Sequence, residues 1–362
     1  MTSRVDGTLQ SKPLHKLLEL SRGDYAQYVR VVSVGIARVI KEKEIKVAAN
    51  YIGDLLSILP ACFSSYQRLK TLRISGPYYP GGHQEDPHFP EDLRHALRNT
   101  IGTTLGHAPA GSLTELSLAL PLTHDFAALI DDTQYMTLAW PTPFQDLLAT
   151  LSHLNINISD NSGLGGQQWM LKPRSGTQKA YPNERFAPGF FKFIEVANNV
   201  ETLRIRVTHV LDMDLLNTAR FCKLRILELR NLKVSWDSFV AFVENNTETL
   251  RAIDLDGIQL KSGTWKALLL KFCSLPQLDY FAMDACRYST DGSSAWMVPA
   301  AAADMDSAIE TRSIFDFHAL GHLQRQVMYR RDLMGLPQMM EYDFKYSSWK
   351  TLEEVEFVEC WT

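Results

Sequence analysis

Four polar residues near position 85 have the side chains best suited to bind a metal. His83, Glu85, Asp86 and His88 lie within six positions, and imidazole nitrogens and carboxylate oxygens are common metal ligands. A structural zinc site needs four ligands at a familiar spacing, and the sequence has no second cluster to supply them. The segment is also rich in Gly and Pro, which favours a solvated loop. We therefore predict no metal site here.

Two histidines further along the chain have the spacing of a zinc-binding helix. His318 and His322 form H-x-x-x-H, which would place both imidazoles on one helical face. A zinc protease of this type needs a glutamate directly after the first histidine as its general base, and Ala319 occupies that position. An ordinary helix is the simpler interpretation.

Other signatures of catalysis are incomplete. The sequence GLGG at 163–166 has neither a preceding strand nor the Lys-Ser/Thr pair of a phosphate-binding loop. The pairs Asp212/Asp214 and Asp304/Asp306 lack the spacing of a calcium loop, and the sequence has no G-x-S-x-G motif. We therefore predict a protein that is not an enzyme and that holds no cofactor.

The composition gives no sign of nucleic-acid or membrane binding. The chain has 362 residues, of which 45% are apolar and 22% charged, and a net charge of -4. This balance is ordinary for a globular protein and gives no support to polyanion binding. Neither a run of 18 apolar residues nor a signal-peptide pattern is present. At this length we expect either two domains or an elongated array of repeats.

The cysteines indicate a reducing compartment. Cys62, Cys222, Cys273, Cys286 and Cys360 are odd in number, widely spaced and free of any C-x-x-C. Such a set fits buried thiols better than a disulfide framework. We expect a cytoplasmic or nuclear protein.

A leucine pattern near residue 224 indicates which elements position the polar residues. KLRILELRNL carries leucines at 224, 227, 229 and 232. The pattern L-x-x-L-x-L-x-x-φ, in which φ is any apolar residue, returns from Leu250 and Leu278, 26 and then 28 residues further along. Another copy begins at Val200, 24 residues before Leu224. A period of this length with this signature is typical of a leucine-rich repeat.

The segments between these strands have the period of helices. Apolar residues recur at i, i+3, i+4 and i+7 in two sets: Trp236, Phe239, Val240 and Val243, then Trp265, Leu268, Leu269 and Phe272. Ser235 and Ser262 precede these sets and are candidate helix N-caps. Each repeat is thus predicted to be strand, turn, helix and turn.

We therefore predict an α/β fold, a leucine-rich-repeat solenoid shaped as a horseshoe, with a parallel concave sheet and outer helices. Looser copies of the strand pattern begin at Val29, Leu69, Leu113, Leu151 and Leu352.

Residues 1–28 are predicted to be a helical cap, and residues 29–362 the solenoid. Irregular insertions, rich in turn-forming residues, are expected at 76–90, 159–189 and 290–312. Further helices are predicted near 45–59, 91–101, 143–151 and 313–333.

Alternation along the strands predicts which side chains face the concave side. If positions 4 and 6 of the motif point inward, positions 3, 5 and 7 point to the open face of the sheet. The predicted partner-binding residues on that face are Arg73, Asn155, Arg204, Arg206, Glu228, Arg230, Asp254, Asp256, Tyr280, Asp284, Glu354 and Glu356.

Like charges are predicted to be neighbours on this face. Glu228 would lie beside Asp254, and Asp256 beside Asp284, about 5 Å apart on adjacent strands. Two interpretations remain open: the acidic stripe binds a partner, or the carboxylates are hydrated and cost little.

The N-terminal segment PLHKLLELSRGDYAQYVRVVSV at 13–34 resembles the segment directly after the F-box in fungal F-box-like proteins that carry leucine-rich repeats. The shared features are a short helix, a tyrosine-containing link, and Y-V-R leading into the first strand. In that family the F-box binds the Skp1 adaptor of a cullin ubiquitin ligase, and the repeats hold a substrate. An F-box needs about 40 residues in three packed helices, and only 28 residues precede Val29.

The sequence therefore predicts an intracellular, non-catalytic protein-interaction module. It resembles the substrate-binding half of an F-box ubiquitin-ligase receptor, and the alternative is a leucine-rich-repeat scaffold unrelated to ubiquitination. The expected partner is a protein on the concave face. A Skp1-type adaptor is expected only if an F-box is encoded upstream, and neither nucleic acid nor membrane is expected.

Overall fold

The computed structural model describes most of the chain. The described residues are 2–5, 12–35, 45–76, 91–108, 111–131, 144–160, 162, 174–289, 309–311 and 313–339. The chain divides into two compact units. Unit 1 comprises Met1–Leu211 and Leu215–Arg220, and unit 2 comprises Asp212–Asp214 and Phe221–Thr362.

The described residues form twelve strands and ten α-helices, interspersed along the chain. The strands are β1 Thr2–Val5, β2 Val31–Gly35, β3 Thr71–Ser75, β4 Glu115–Leu120, β5 His153–Ile158, β6 Thr202–Asp212, β7 Ile226–Val234, β8 Ala252–Asp256, β9 Gln259–Leu260, β10 Tyr280–Asp284, β11 Cys286–Tyr288 and β12 Ile309–Glu310. The helices are α1 Lys12–Arg22, α2 Ile45–Ser65, α3 Glu91–Gly106, α4 Thr123–Asp131, α5 Phe144–Thr150, α6 Gly176–Ala180, α7 Asn183–Val196, α8 Trp236–Glu244, α9 Trp265–Cys273 and α10 Ile314–Leu333.

Unit 1 contains a parallel sheet in chain order, β1-β2-β3-β4-β5-β6. Its inward positions are apolar, and they align strand by strand: Leu72 pairs with Leu116, and Leu116 with Leu154. All three side chains are at most 1% exposed. A buried leucine stabilises a fold by roughly 1.5–3 kcal/mol, so this row of leucines fixes the register.

Unit 2 repeats a strand, a sharp bend and a short second strand. The first half of β7 pairs in parallel with β8, and β8 pairs with β10. The end of β7, at Lys233 and Val234, pairs in parallel with β9, and the short strands continue in the order β9-β11-β12. The bend lies at the same motif position in each repeat, where Asn231, Gly257 and Ala285 have φ angles of 56°, 65° and 48°. This left-handed conformation turns the chain from the first strand into the second.

Helices α8 and α9 begin where the apolar period predicts. Ser235 caps α8, because its side chain accepts a hydrogen bond from the backbone N–H of Ser238. The second cap differs from the prediction: Thr264, not Ser262, caps α9. Gly263 is the reason, since its φ angle is 76° and a Cβ there would lie 2.8 Å from the Cβ of Trp236. Ser262 instead accepts a hydrogen bond from the N–H of Trp236.

The helices pack on the strands through aromatic rings. The ring centroids of Phe239 and Phe272 are 5.6 Å apart, and those of Phe272 and Phe281 are 5.8 Å apart. These contacts join α8, α9 and β10 into one apolar layer. Trp236, the first residue of the apolar set in α8, is only half-buried, and its side chain lies against Gly263.

The 159–189 segment, predicted to be an irregular insertion, contains helix α6 and the first half of α7. Gln178 in α6 and Asn183 and Ala187 in α7 are buried, so this part of the segment belongs to the core of unit 1. The segment 1–28, predicted as a helical cap, contains β1 as well as α1. The other two predicted insertions, and the strand predicted from Leu352, lie largely or wholly outside the described residues.

Candidate functional site

In unit 1, the predicted face residues lie on the exposed side of the parallel sheet. Arg73 is on β3, Asn155 on β5, and Arg204 and Arg206 on β6. The side chain of Arg73 is 56% exposed, and it pairs with Glu115 on β4 at 2.9 Å. The charge of Arg73 is thus compensated within the sheet.

The centre of this face is built from small polar side chains. Asn155 Nδ2 donates to Ser117 Oγ at 3.1 Å, and the register places Arg204 beside Asn155 and Arg206 beside Asn157. The two arginines therefore border a surface of amides and hydroxyls.

In unit 2, the face is dominated by carboxylates. The register places Glu228 beside Asp254 and Arg230 beside Asp256. Across the next pair of strands, Asp256 lies beside Asp284. The predicted neighbours are therefore confirmed.

Arg230 compensates one of these carboxylates. Its Nε lies 3.0 Å from Asp256 Oδ2, and the two side chains are 46% and 19% exposed. Asp256 thus has a cation on one side and a like charge, Asp284, on the other. Tyr280 begins β10 on the same side of the strand as Asp284. Glu354 and Glu356 lie outside the described residues.

Asp212 and Asp214, which lack the spacing of a calcium loop, bind a lysine instead. Lys261 Nζ lies 2.8 Å from Asp212 Oδ2 and 2.8 Å from Asp214 Oδ2. Burial alone would raise the pKa of Asp214, but hydrogen bonds from Lys261 and Ser235 outweigh it and lower the pKa. The cluster fastens the turn before α8, since Asp214 also accepts from the N–H of Ser235 at 2.9 Å.

The histidine pair of the predicted ordinary helix does lie on α10, at His318 and His322. Within the described part of the chain, no group of three or more His, Cys, Asp or Glu residues could hold a metal. The predicted loop with His83 and His88, the GLGG sequence and the Asp304/Asp306 pair lie outside the described residues.

The described cysteines are free thiols. Cys286 is fully buried, and burial raises the pKa of its thiol well above the usual range. Burial also raises the pKa of Cys273, to about 11. Neither thiol is a thiolate at neutral pH, so neither is an activated nucleophile. Cys62 and Cys222 are also free, and Cys360 lies outside the described residues.

Sequence reasoning missed a buried polar network that contains Ser, His and Asp. Asp160 accepts from the N–H of Ser162 and from Ser175 Oγ, both at 2.9 Å. His209 Nε2 bonds the carbonyl of Ser162, and its Nδ1 lies 3.2 Å from Asn183 Nδ2. The imidazole therefore contacts a backbone carbonyl, not a serine hydroxyl, and burial lowers its pKa. This network holds the chain before α6 in place and is not arranged as a nucleophile with its base.

A second missed cluster contains two buried arginines. Arg94 and Arg98 on α3 lie 3.7 Å and 2.8 Å from Asp125 Oδ1 on α4. The i, i+4 spacing of the arginines was a signal that both belong to one helical face. Nothing in the sequence indicated that this face is buried.

No helix in the described residues is long and apolar enough to cross a membrane.

No protein-family model matches the chain, and no curated protein sequence is similar to it. Among solved structures, the chain is similar to an internalin from Listeria monocytogenes, with 9% sequence identity, coverage of 80% of this chain and 79% of that chain, and a TM-score of 0.25. A TM-score this low does not establish a shared fold.

Proposed function

We propose that the chain is a leucine-rich-repeat protein and that it is not an enzyme. In this proposal it binds another protein through the exposed face of its parallel sheets. The observation that carries the proposal is the repeated unit of unit 2. Three repeats present charged residues in register on one side of parallel strands, while the leucines, the bends and the helices serve the fold. Repeat proteins of this kind typically bind through extended surfaces.

The chemistry of each face supports a protein partner. The acidic face of unit 2 would take a basic segment, and the face with Arg204 and Arg206 in unit 1 would take an acidic one. Free thiols at the described cysteines support a cytoplasmic or nuclear location.

Single charge reversals on the acidic face test the proposal. Glu228→Lys or Asp254→Lys replaces one member of a like-charge neighbour pair with a cation, and the urea midpoint of each variant separates an effect on folding from an effect on binding. We expect either change to weaken binding of a co-purified partner about tenfold, which corresponds to about 1.4 kcal/mol. Binding would be measured by calorimetry with the partner identified by co-purification.

Glu244→Lys on α8 is the matched control. Glu244 is 53% exposed and pairs with Lys271 on α9, so its reversal changes the same charge on the helical layer. We expect it to leave binding unchanged. A partner lost with Glu244→Lys but retained by both face variants would refute the proposal.

The resemblance of residues 13–34 to F-box-like proteins leads to a finer proposal, a substrate receptor of the ubiquitin-ligase type. A Skp1-type adaptor co-purifying with the full-length protein would favour this role. A partner without any Skp1 or cullin would favour the alternative, a scaffold unrelated to ubiquitination.

A further inference from the structure

The side chain of Arg94 is buried with incomplete hydrogen bonding. It is 1% exposed, and its Nη2 lies 2.9 Å from Glu91 Oε2. The Nε and Nη1 atoms have no hydrogen-bond partner in the described structure. A guanidinium has five N–H donors, and a buried donor without an acceptor destabilises the fold. Such an atom needs an explanation, for example a bound water or ion.

The charged side chains around Arg94 differ in how deeply they are buried. Asp125, with a side chain 2% exposed, is shared by Arg94 and Arg98, whose side chains are 1% and 5% exposed. The second carboxylate, Glu91, is 50% exposed and sits at the rim. Among these four residues, the buried part therefore carries two cations and one anion.

Helix N-termini add positive potential at the same place. Glu91 starts α3 and Thr123 starts α4, and Thr123 donates through its N–H to Asn183, the first residue of α7, at 2.9 Å. The N-terminus of a helix carries a partial positive charge and attracts anions. In sheets of parallel strands, ligands bind beyond the carboxyl ends of the strands, and α4 follows the carboxyl end of β4.

Aromatic rings cover the cluster. The Arg94 guanidinium lies 4.6 Å from the centroid of the Tyr181 ring. The centroids of the Tyr181 and His124 rings are 4.3 Å apart. The ring explains the packing of one guanidinium face, but it supplies no acceptor for the N–H groups at the edge. His124 Nδ1 is also buried and without a hydrogen-bond partner in the described structure.

We propose that Arg94, Arg98 and His124 form a binding site for a small phosphate-type oxyanion, which accepts hydrogen bonds from Nε and Nη1 of Arg94. We call it the Arg94 site. The depth of Arg94 restricts the ligand to a compact anion, and Glu91 competes with it for the guanidinium. The Arg94 site is separate from the exposed faces of the sheets, so its test is independent of the proposed function.

Titration of the full-length protein with inorganic phosphate tests the site. At constant ionic strength, we expect saturable broadening of the phosphorus NMR signal. At ten times its Kd, phosphate should also raise the Tm by about 3 °C relative to chloride. Arg94→Gln should abolish both effects. Arg220→Gln, which removes a 51% exposed arginine of the same unit, is the matched control and should retain both.

Glu91→Gln keeps the test decisive if Arg94→Gln does not fold. Because it removes the competing negative charge at the rim, we expect it to bind phosphate about two- to fivefold more tightly than the wild type. The proposal is overturned if the wild type shows neither line broadening nor a thermal shift, since the buried donors are then simply hydrated. It is also overturned if Arg94→Gln binds as well as Arg220→Gln, or if Glu91→Gln binds no more tightly.

Discussion

Replacing Gly257 with alanine tests the bend that separates the two strand segments of each repeat in unit 2. Gly257 has a φ angle of 65°, and a Cβ there would lie 2.5 Å from Asn231 Oδ1. The left-handed conformation costs an alanine about 1–2 kcal/mol. Displacing the Asn231 side chain costs about 0.5–1.5 kcal/mol more if a hydrogen bond is lost. Loss of unfolded-state entropy offsets about 0.4–1 kcal/mol, so the expected net destabilisation is about 1–2.5 kcal/mol.

Ala285 is the matched control, because it occupies the same motif position with a φ angle of 48°. Ala285→Gly relieves the same strain, at an entropic cost of about 0.5–1 kcal/mol, and should leave stability unchanged or raise it slightly. Both variants would be compared with the wild type by urea unfolding, followed by circular dichroism and tryptophan fluorescence. Gly257→Ala with a wild-type midpoint, or Ala285→Gly with an equal loss, would show that the repeated bend is not as described.

Three further outcomes follow from caps and buried charges. Thr264→Ala should destabilise unit 2 by about 1 kcal/mol in urea unfolding, and Ser262→Ala by less; the reverse order would show that α9 is capped by Ser262. Asp316→Ala should lower the free energy of unfolding by about 3 kcal/mol or more in the same assay. This carboxylate is 1% exposed, and it accepts hydrogen bonds at 2.8 Å from the N–H of Lys266 and from the Tyr288 hydroxyl. A smaller loss would mean that the carboxylate is hydrated. Burial lowers the pKa of His209, so its contribution to stability is present above the unfolded value of about 6.5 and is lost as the pH falls below it. The urea midpoint of unit 1 should therefore fall between pH 7.5 and 5, and less so in His209→Gln; an equal fall in that variant would contradict this assignment.

Sequence periodicity predicted the elements whose apolar residues recur at a single clear spacing. Helix α10, predicted over 313–333, runs from Ile314 to Leu333, and the register of β7 with β8 follows the leucine spacing. These elements have one buried side each. The alternation of apolar and polar residues therefore identifies that side directly.

Helix α7 was missed because its local signals oppose its packing. Pro188 lies inside the helix and Gly189 follows it, and both residue types usually interrupt a helix. Burial of three phenylalanines in the same helix overrides that preference. The caps show the same limit: Gly263 shifts the cap of α9 because it packs on Trp236, a contact 27 residues away in the chain that no local pattern contains.

The buried clusters were missed for a related reason. Arg94 and Asp125 look like ordinary surface residues in the sequence, since charged side chains are almost never fully buried unless they are paired. Their burial depends on α3 and α4 packing together, with Tyr181 from a segment predicted to be a loop. Long-range packing of this kind leaves no periodic trace in the sequence.

The carboxylates on the acidic face of unit 2 are partly compensated within the sheet. Arg230 lies against Asp256, so the like-charge contact between Asp256 and Asp284 is partly neutralised within the sheet. Glu228 and Asp254 are half-exposed neighbours on adjacent strands, and the interaction between charges in such surroundings amounts to less than about 1 kcal/mol. The free sheet tolerates that cost. A basic side chain placed over the pair would be attracted by both carboxylates, so this geometry would favour a basic partner over an acidic one. Glu228→Lys and Asp254→Lys should therefore lower the affinity for a basic partner.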